Sequence, residues 1–104
     1  MIIGGTPTRE PEPNPVIINA LKTAHIIKQR FMGDNAQAFA ITASELDLDV
    51  RQAWRTLKLA FLAPDIQLAI LSGTQPRGLL LKDLIYQSLP ADWTEQRRLL
   101  GFPA

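Results

Sequence analysis

From Asn14 onward the chain reads NPVIINALKTAHIIKQRF, with Ile17, Leu21, Ala24, Ile27 and Phe31 three or four residues apart. That spacing lines one face of an α-helix and rules out a strand, whose side chains alternate every second residue. Asn14 is a helix-capping residue type, and Pro15 suits the first helical position, where a missing N–H costs nothing. The pattern predicts a helix over residues 15–32, with Gly33 as its left-handed terminator and Asp34-Asn35 as the turn that follows. An apolar stripe of this length needs other elements to cover it.

The remaining segments repeat the same period. Residues 38–46 predict a short helix with Phe39, Ala40, Ala43 and Leu46 available for packing. Asp47 suits a turn and Asp49 an N-cap, so a third helix is expected over 50–62. Val50, Trp54, Leu57 and Phe61 would form its buried face. Pro64 ends that helix, because the residue before a proline is pushed out of the α region, and Pro64-Asp65 opens another over 66–71, stopped at Gly73. Residues 79–88 form one more helix, with Leu80, Leu84 and Ile85 inward. A last amphipathic segment over 91–100 stops at Gly101. Alternation of β-branched residues over a strand's length is missing, apart from the short Met1-Ile2-Ile3. The expected fold is all-α: a small bundle of about five helices containing a helix-turn-helix, the arrangement of two helices joined by a short turn.

Pro7, Pro11, Pro13 and Pro15 punctuate the first fifteen residues. Proline fixes φ and removes a donor, so residues 1–14 are expected to form an extended arm and residues 15–104 a single helical domain. The chain has no cysteine and one histidine, which removes disulfides, thiolate nucleophiles and zinc ribbons. Apolar runs fall far short of the roughly 18 residues that a membrane-spanning helix needs. The N-terminus lacks a basic start followed by an apolar core, so no secretory signal is expected and a cytoplasmic location follows by default.

Catalytic constellations are equally thin. His25 has no Asp, Glu or second His three or four residues away to suggest a metal pair. Glu45, Asp47 and Asp49 cluster at the inter-helix turn, where capping explains them better than acid-base work. Ser44 has no nearby histidine in sequence, and neither a nucleophile elbow nor a phosphate-cradling Gly-Lys-Ser/Thr loop occurs. The expectation is a protein that is not an enzyme and takes no cofactor.

Charge directs attention elsewhere. The formal net charge is only +1, but residues 1–50 hold four Lys/Arg against six Asp/Glu, and residues 51–104 hold seven against four. Arg51, Arg55 and Lys58 stand at i, i+4 and i+7 of the third helix, with Gln52 beside them, and form a polar comb next to the expected buried face. Arg donates two hydrogen bonds to guanine O6 and N7, and Gln pairs similarly with adenine N6 and N7. The commoner fate of such charges is the solvated side of an amphipathic helix, and spacing alone favours that reading. Trp54 is expected in the core.

The run RTLKLAFLAPDIQLAILSGTQPRGL, from Arg55 to Leu79, followed by LPADWTEQRRLLGFP, from Leu89 to Pro103, resembles the C-terminal segment of a group of bacterial and phage large serine recombinases. In that family the corresponding region is a helix-turn-helix segment downstream of the catalytic domain. The order of elements is also similar to DNA-binding domains of plasmid-partition proteins. The resemblance implies binding to double-stranded DNA, with Arg51, Gln52, Arg55 and Lys58 in the recognition helix. Base contacts would come from Arg51, Gln52 and Arg55, and phosphate contacts from Lys58, Arg77 and the Arg97-Arg98 pair. The sequence departs from the family in carrying Asp47 where a glycine usually stands and Thr42 where a leucine does. It also contains no counterpart of the catalytic serine domain, so the expectation is a regulator or accessory factor of a mobile element. A homodimer or a recombinase-type protein would be its partner. The alternative reading is a protein-interaction or dimerisation module that does not bind DNA.

Overall fold

A computed structural model describes residues 10–31 and 36–103. Among these residues six α-helices and no strand are found: α1 (Pro15–Phe31), α2 (Ala36–Glu45), α3 (Val50–Leu57), α4 (Pro64–Ser72), α5 (Leu81–Ile85) and α6 (Trp93–Leu100). A 3-10 turn, Lys58–Phe61, continues α3. The protein is all-α, and the terminal segment expected over 91–100 forms a helix over 93–100, capped by Asp92. Gly33 and the Asp34-Asn35 turn lie outside the described residues, as do residues 1–9 of the expected arm. No helix among the described residues is long and apolar enough to cross a membrane.

Helix α1 is the spine. Asn14 Oδ1 accepts from the backbone N–H of Val16 at 3.0 Å and Ile17 at 3.3 Å, so the capping expectation holds. Ile17, Leu21, Ala24 and Ile27 are buried along one side. Two clusters share that stripe. The larger packs Ile17, Leu21 and Ala24 against Leu59, Leu62, Ile66, Ile70 and Leu84, closed by Leu100 and Phe102. The smaller packs Ile27 against Phe39, Ala43, Ala53 and Leu57. Full burial of a Leu- or Ile-sized side chain is worth about 1.5–3 kcal/mol, so the stripe on α1 contributes substantially to both clusters.

Two expectations are corrected. The third helix does not run unbroken over 50–62 with Val50, Trp54, Leu57 and Phe61 inward. Its α-helical part ends at Leu57, and the chain tightens from about 3.6 to about 3.0 residues per turn over 58–61. The changed period turns Leu59 and Ala60 into the core and leaves Phe61 55% exposed. In α3 itself the buried centre is Ala53 with Leu57, where a small side chain lets the helix lie close to α1, and Val50 and Trp54 fall at the margin. The second correction is Leu80, which points outward while Leu79 is buried. Helix α5 begins only at Leu81, so Leu80 is still extended, and successive side chains on extended backbone face opposite ways. Leu84 is buried as expected.

Pro64 breaks the chain between the 3-10 turn and α4, and two glutamines hold the break. Gln96, 3% exposed, accepts from Ala63 N–H at 2.9 Å and donates to Pro90 O at 2.8 Å. Gln67 donates to Leu62 O at 2.8 Å, and its Oε1 lies 2.6 Å from His25 Nε2. Near them Arg97 grips Asp65 with two bonds of 2.8 and 2.9 Å. The Arg97 hydrogen bond, with its charge, holds the Asp65 carboxyl below the usual carboxylate range. A depressed carboxyl adds stability that is present above its unfolded pKa and lost as pH falls through the folded one. Asp65→Asn should therefore lower the melting temperature at pH 7. The gap to the parent chain should begin to close below about pH 4 and vanish once the parent carboxyl is protonated, as thermal unfolding across pH will read.

Part of the arm is docked. Glu12 N–H donates to Gly73 O at 2.8 Å, Gln75 Nε2 donates to Glu12 O at 3.0 Å, and Arg77 pairs with Glu12 at 3.4 Å. Gly73 has φ of 77°, as the left-handed cap of α4 requires, and a Cβ there would stand 2.6 Å from Pro13 N. Gly73→Ala should destabilise the fold by about 2 kcal/mol or more in urea unfolding, from backbone strain and displacement of the arm together.

Candidate nucleic-acid interface

Helices α2 and α3 are joined by residues 46–49. Leu46 N–H bonds back to Thr42 O, and Leu48 N–H to Ala43 O at 2.9 Å, which closes the end of α2. Asp47 takes φ of 60°, the left-handed conformation that glycine adopts without strain and that Asp tolerates better than most residues. The aspartate thus makes the turn that its residue type was expected to make. Asp49 then caps α3: its Oδ1 accepts from Gln52 N–H at 2.7 Å, and its own N–H donates to Gln52 Oε1 at 3.4 Å. This reciprocal capping box fixes the first turn of the helix. Asp49→Ala should cost about 1 kcal/mol in chemical unfolding, with the amides of residues 50–52 losing hydrogen-exchange protection first.

The expected reading residues share one element. Ala53 and Leu57 face the core, so Arg51 and Arg55 project from the opposite side of α3, with Gln52 on one flank and Trp54 on the other. Arg51 is exposed and has no ion pair or hydrogen bond among the described residues. Gln52 is exposed, but its Oε1 serves the cap. Bidentate pairing with adenine needs both ends of the amide, so it would require the long cap bond to open.

The other cations are engaged. The Arg55 guanidinium lies 4.9 Å from the centre of the Tyr86 ring, a cation–π contact. Lys58 Nζ donates to Gln87 O at 2.8 Å. Partial burial, and then the neighbouring charge of Arg55, push the Lys58 ammonium below the usual lysine range. Arg77 belongs to another neighbourhood, the turn after α4, where Glu12 holds it. Arg97 is bound to Asp65, and Arg98 to Glu95 at 3.0 Å. The structure therefore brings Arg51, Gln52, Arg55 and Lys58 onto one side and leaves Arg77 outside the group.

Trp54 has two roles. One face stacks on Phe39 at 4.1 Å between centroids, and the edge of the pair meets Phe31, which lies 5.8 Å from Trp54 and 4.9 Å from Phe39. The core role expected of it holds for that face, while 49% of the residue is open to solvent beside Arg51 and Arg55. Sequence reasoning missed Tyr86 and Gln87, which cover the C-terminal half of the comb. They lie some 30 positions downstream, and no local pattern marks them. Among the described residues no group of three His, Cys, Asp or Glu is arranged to hold a metal ion.

No protein-family model, curated protein or solved structure matches the chain. The resemblance to large serine recombinases rests on the quoted motifs alone.

Proposed function

We propose that the protein is a non-catalytic DNA-binding module whose α3 enters the major groove of double-stranded DNA, acting as a recombinase-derived accessory factor. The observation that carries this reading is the outward side of α3. A cation without a partner among the described residues, Arg51, stands in the first turn of a helix whose start is locked by a capping box immediately after a tight turn. In helix-turn-helix proteins the N-terminal residues of the second helix meet base edges. Arg51 supplies two parallel donors that suit guanine, and Arg55, set over the Tyr86 ring, supplies a second fork one turn later. The Gln52 amide adds a donor without leaving the cap.

Phosphate contacts are weaker in this reading. Arg77, Arg97 and Arg98 each hold a carboxylate, so binding phosphate exchanges one anion for another. One module of this size buries about 600–1,000 Å² on DNA, and few free cations add to it, which favours action as a dimer or beside a larger partner. Arg51→Ala and Arg55→Ala should each weaken binding to a site selected from random duplex DNA by about 1–3 kcal/mol and relax its sequence preference. Undiminished affinity in both variants would end the assignment.

One observation favours the second reading, a protein-interaction module. Ile41, Val50, Trp54 and Phe61 are between 44% and 55% exposed, a heavy apolar load for the surface of a small domain. Salt separates the two: affinity for DNA falls steeply with ionic strength through counterion release, whereas an apolar protein contact changes little.

A further inference from the structure

A groove of about 630 Å³ opens beside the Pro64 break, between α1, the 3-10 turn, the start of α4 and residues 89–96. Its floor is built and satisfied: the amides of Gln67 and Gln96 are spent on backbone groups, and His25 is bonded to Gln67. Its rims are two exposed aromatic residues, Phe61 at 55% and Trp93 at 47%. Among the described residues, the charged side chains that line it are Lys28 and Lys58, and no Asp or Glu does. Lys28 Nζ sits 5.2 Å from the centre of the Phe61 ring, so a cation and an aromatic face are presented together.

The carboxylates nearest in sequence are turned to other work. Asp65 is held in two bonds by Arg97, and Asp92 accepts from the backbone N–H of Thr94 and Glu95 as the cap of α6. The groove therefore combines apolar walls, supplied by Leu62, Leu89 and Pro90 among others, with two cations and no anion on its surface. Its volume lies within the usual range for specific sites and admits a few residues of extended chain. A nucleic-acid strand would need a track of free cations along its backbone, and two lysines, one already bonded to Gln87 O, do not make one.

We infer that this groove docks a short acidic peptide segment of a partner protein, with one aromatic or aliphatic side chain seated between Phe61 and Trp93 and carboxylates set against Lys28 and Lys58. The groove shares Lys58 with the comb on α3 but is otherwise distinct from the proposed DNA contacts, since Lys28, Phe61 and Trp93 take no part in them.

The test is a nitrogen-15 NMR titration of the full chain with a capped hexapeptide of alternating glutamate and phenylalanine. The same peptide with lysine for glutamate, and oligo(dT), serve as competitors. The acidic peptide should shift the Trp93 indole and the amides around Lys28 and Phe61 saturably. Lys28→Glu should weaken it about tenfold, the scale of losing one charged partner, with the rest of the spectrum superimposing on the parent. Trp93→Ala should weaken it as well. Equal binding of the lysine peptide, displacement by oligo(dT), or shifts confined to α3 would each overturn the proposal. Duplex-DNA affinity in Lys28→Glu reads the other site independently.

Discussion

Pro64 governs the molecule. A proline at this point cannot continue the helix before it, and it leaves backbone groups on both sides without helical partners. Buried groups of that kind cost free energy unless they are bonded. Gln67 and Gln96 bond them: one amide takes Leu62 O, and the other accepts from Ala63 N–H and ties the break to Pro90. The break is thereby made rigid, and α6 is fastened to the bundle by the same side chain. His25 joins α1 to the network through Gln67.

The geometry of the surface follows from that break. Because the chain must turn at 63–64, its last helical residues tighten into a 3-10 turn, which delivers Leu59 and Ala60 to the larger cluster and turns Phe61 out. Lys58, at the start of the tightened segment, is drawn to Gln87 O and loses part of its hydration. One backbone event thus removes a cation from the comb on α3 and sets an aromatic rim on the groove at the opposite end of the turn. Lys58 and Phe61, at the two ends of the 3-10 turn, belong to the two candidate surfaces.

Much of the organisation was legible because it is local. Asn14-Pro15, Asp47, Asp49, Pro64, Gly73 and Gly101 act within four residues of themselves, through side-chain caps or allowed φ values, and the structure places element ends at each of them. The stripe on α1 was also legible, since one regular helix preserves its period from Ile17 to Ile27. The inward face of α3 was not. Its apolar spacing pointed to Val50, Trp54 and Phe61, yet the helix packs through the small Ala53, and the change of period after Leu57 moves the face.

By itself, then, the sequence determined the helical class, the starts of α1, α3 and α4 and the clustering of cations on α3, because each depends on near neighbours along the chain. The tertiary structure alone decided which cations of the chain are engaged. Lys58 meets Gln87 across 29 positions, Arg97 meets Asp65 across 32, and Arg77 meets Glu12 across 65. Such pairings arise from how α1 brings distant segments together, and no periodicity in the chain encodes them. Arg51, by contrast, is exposed and makes no ion pair or side-chain hydrogen bond among the described residues.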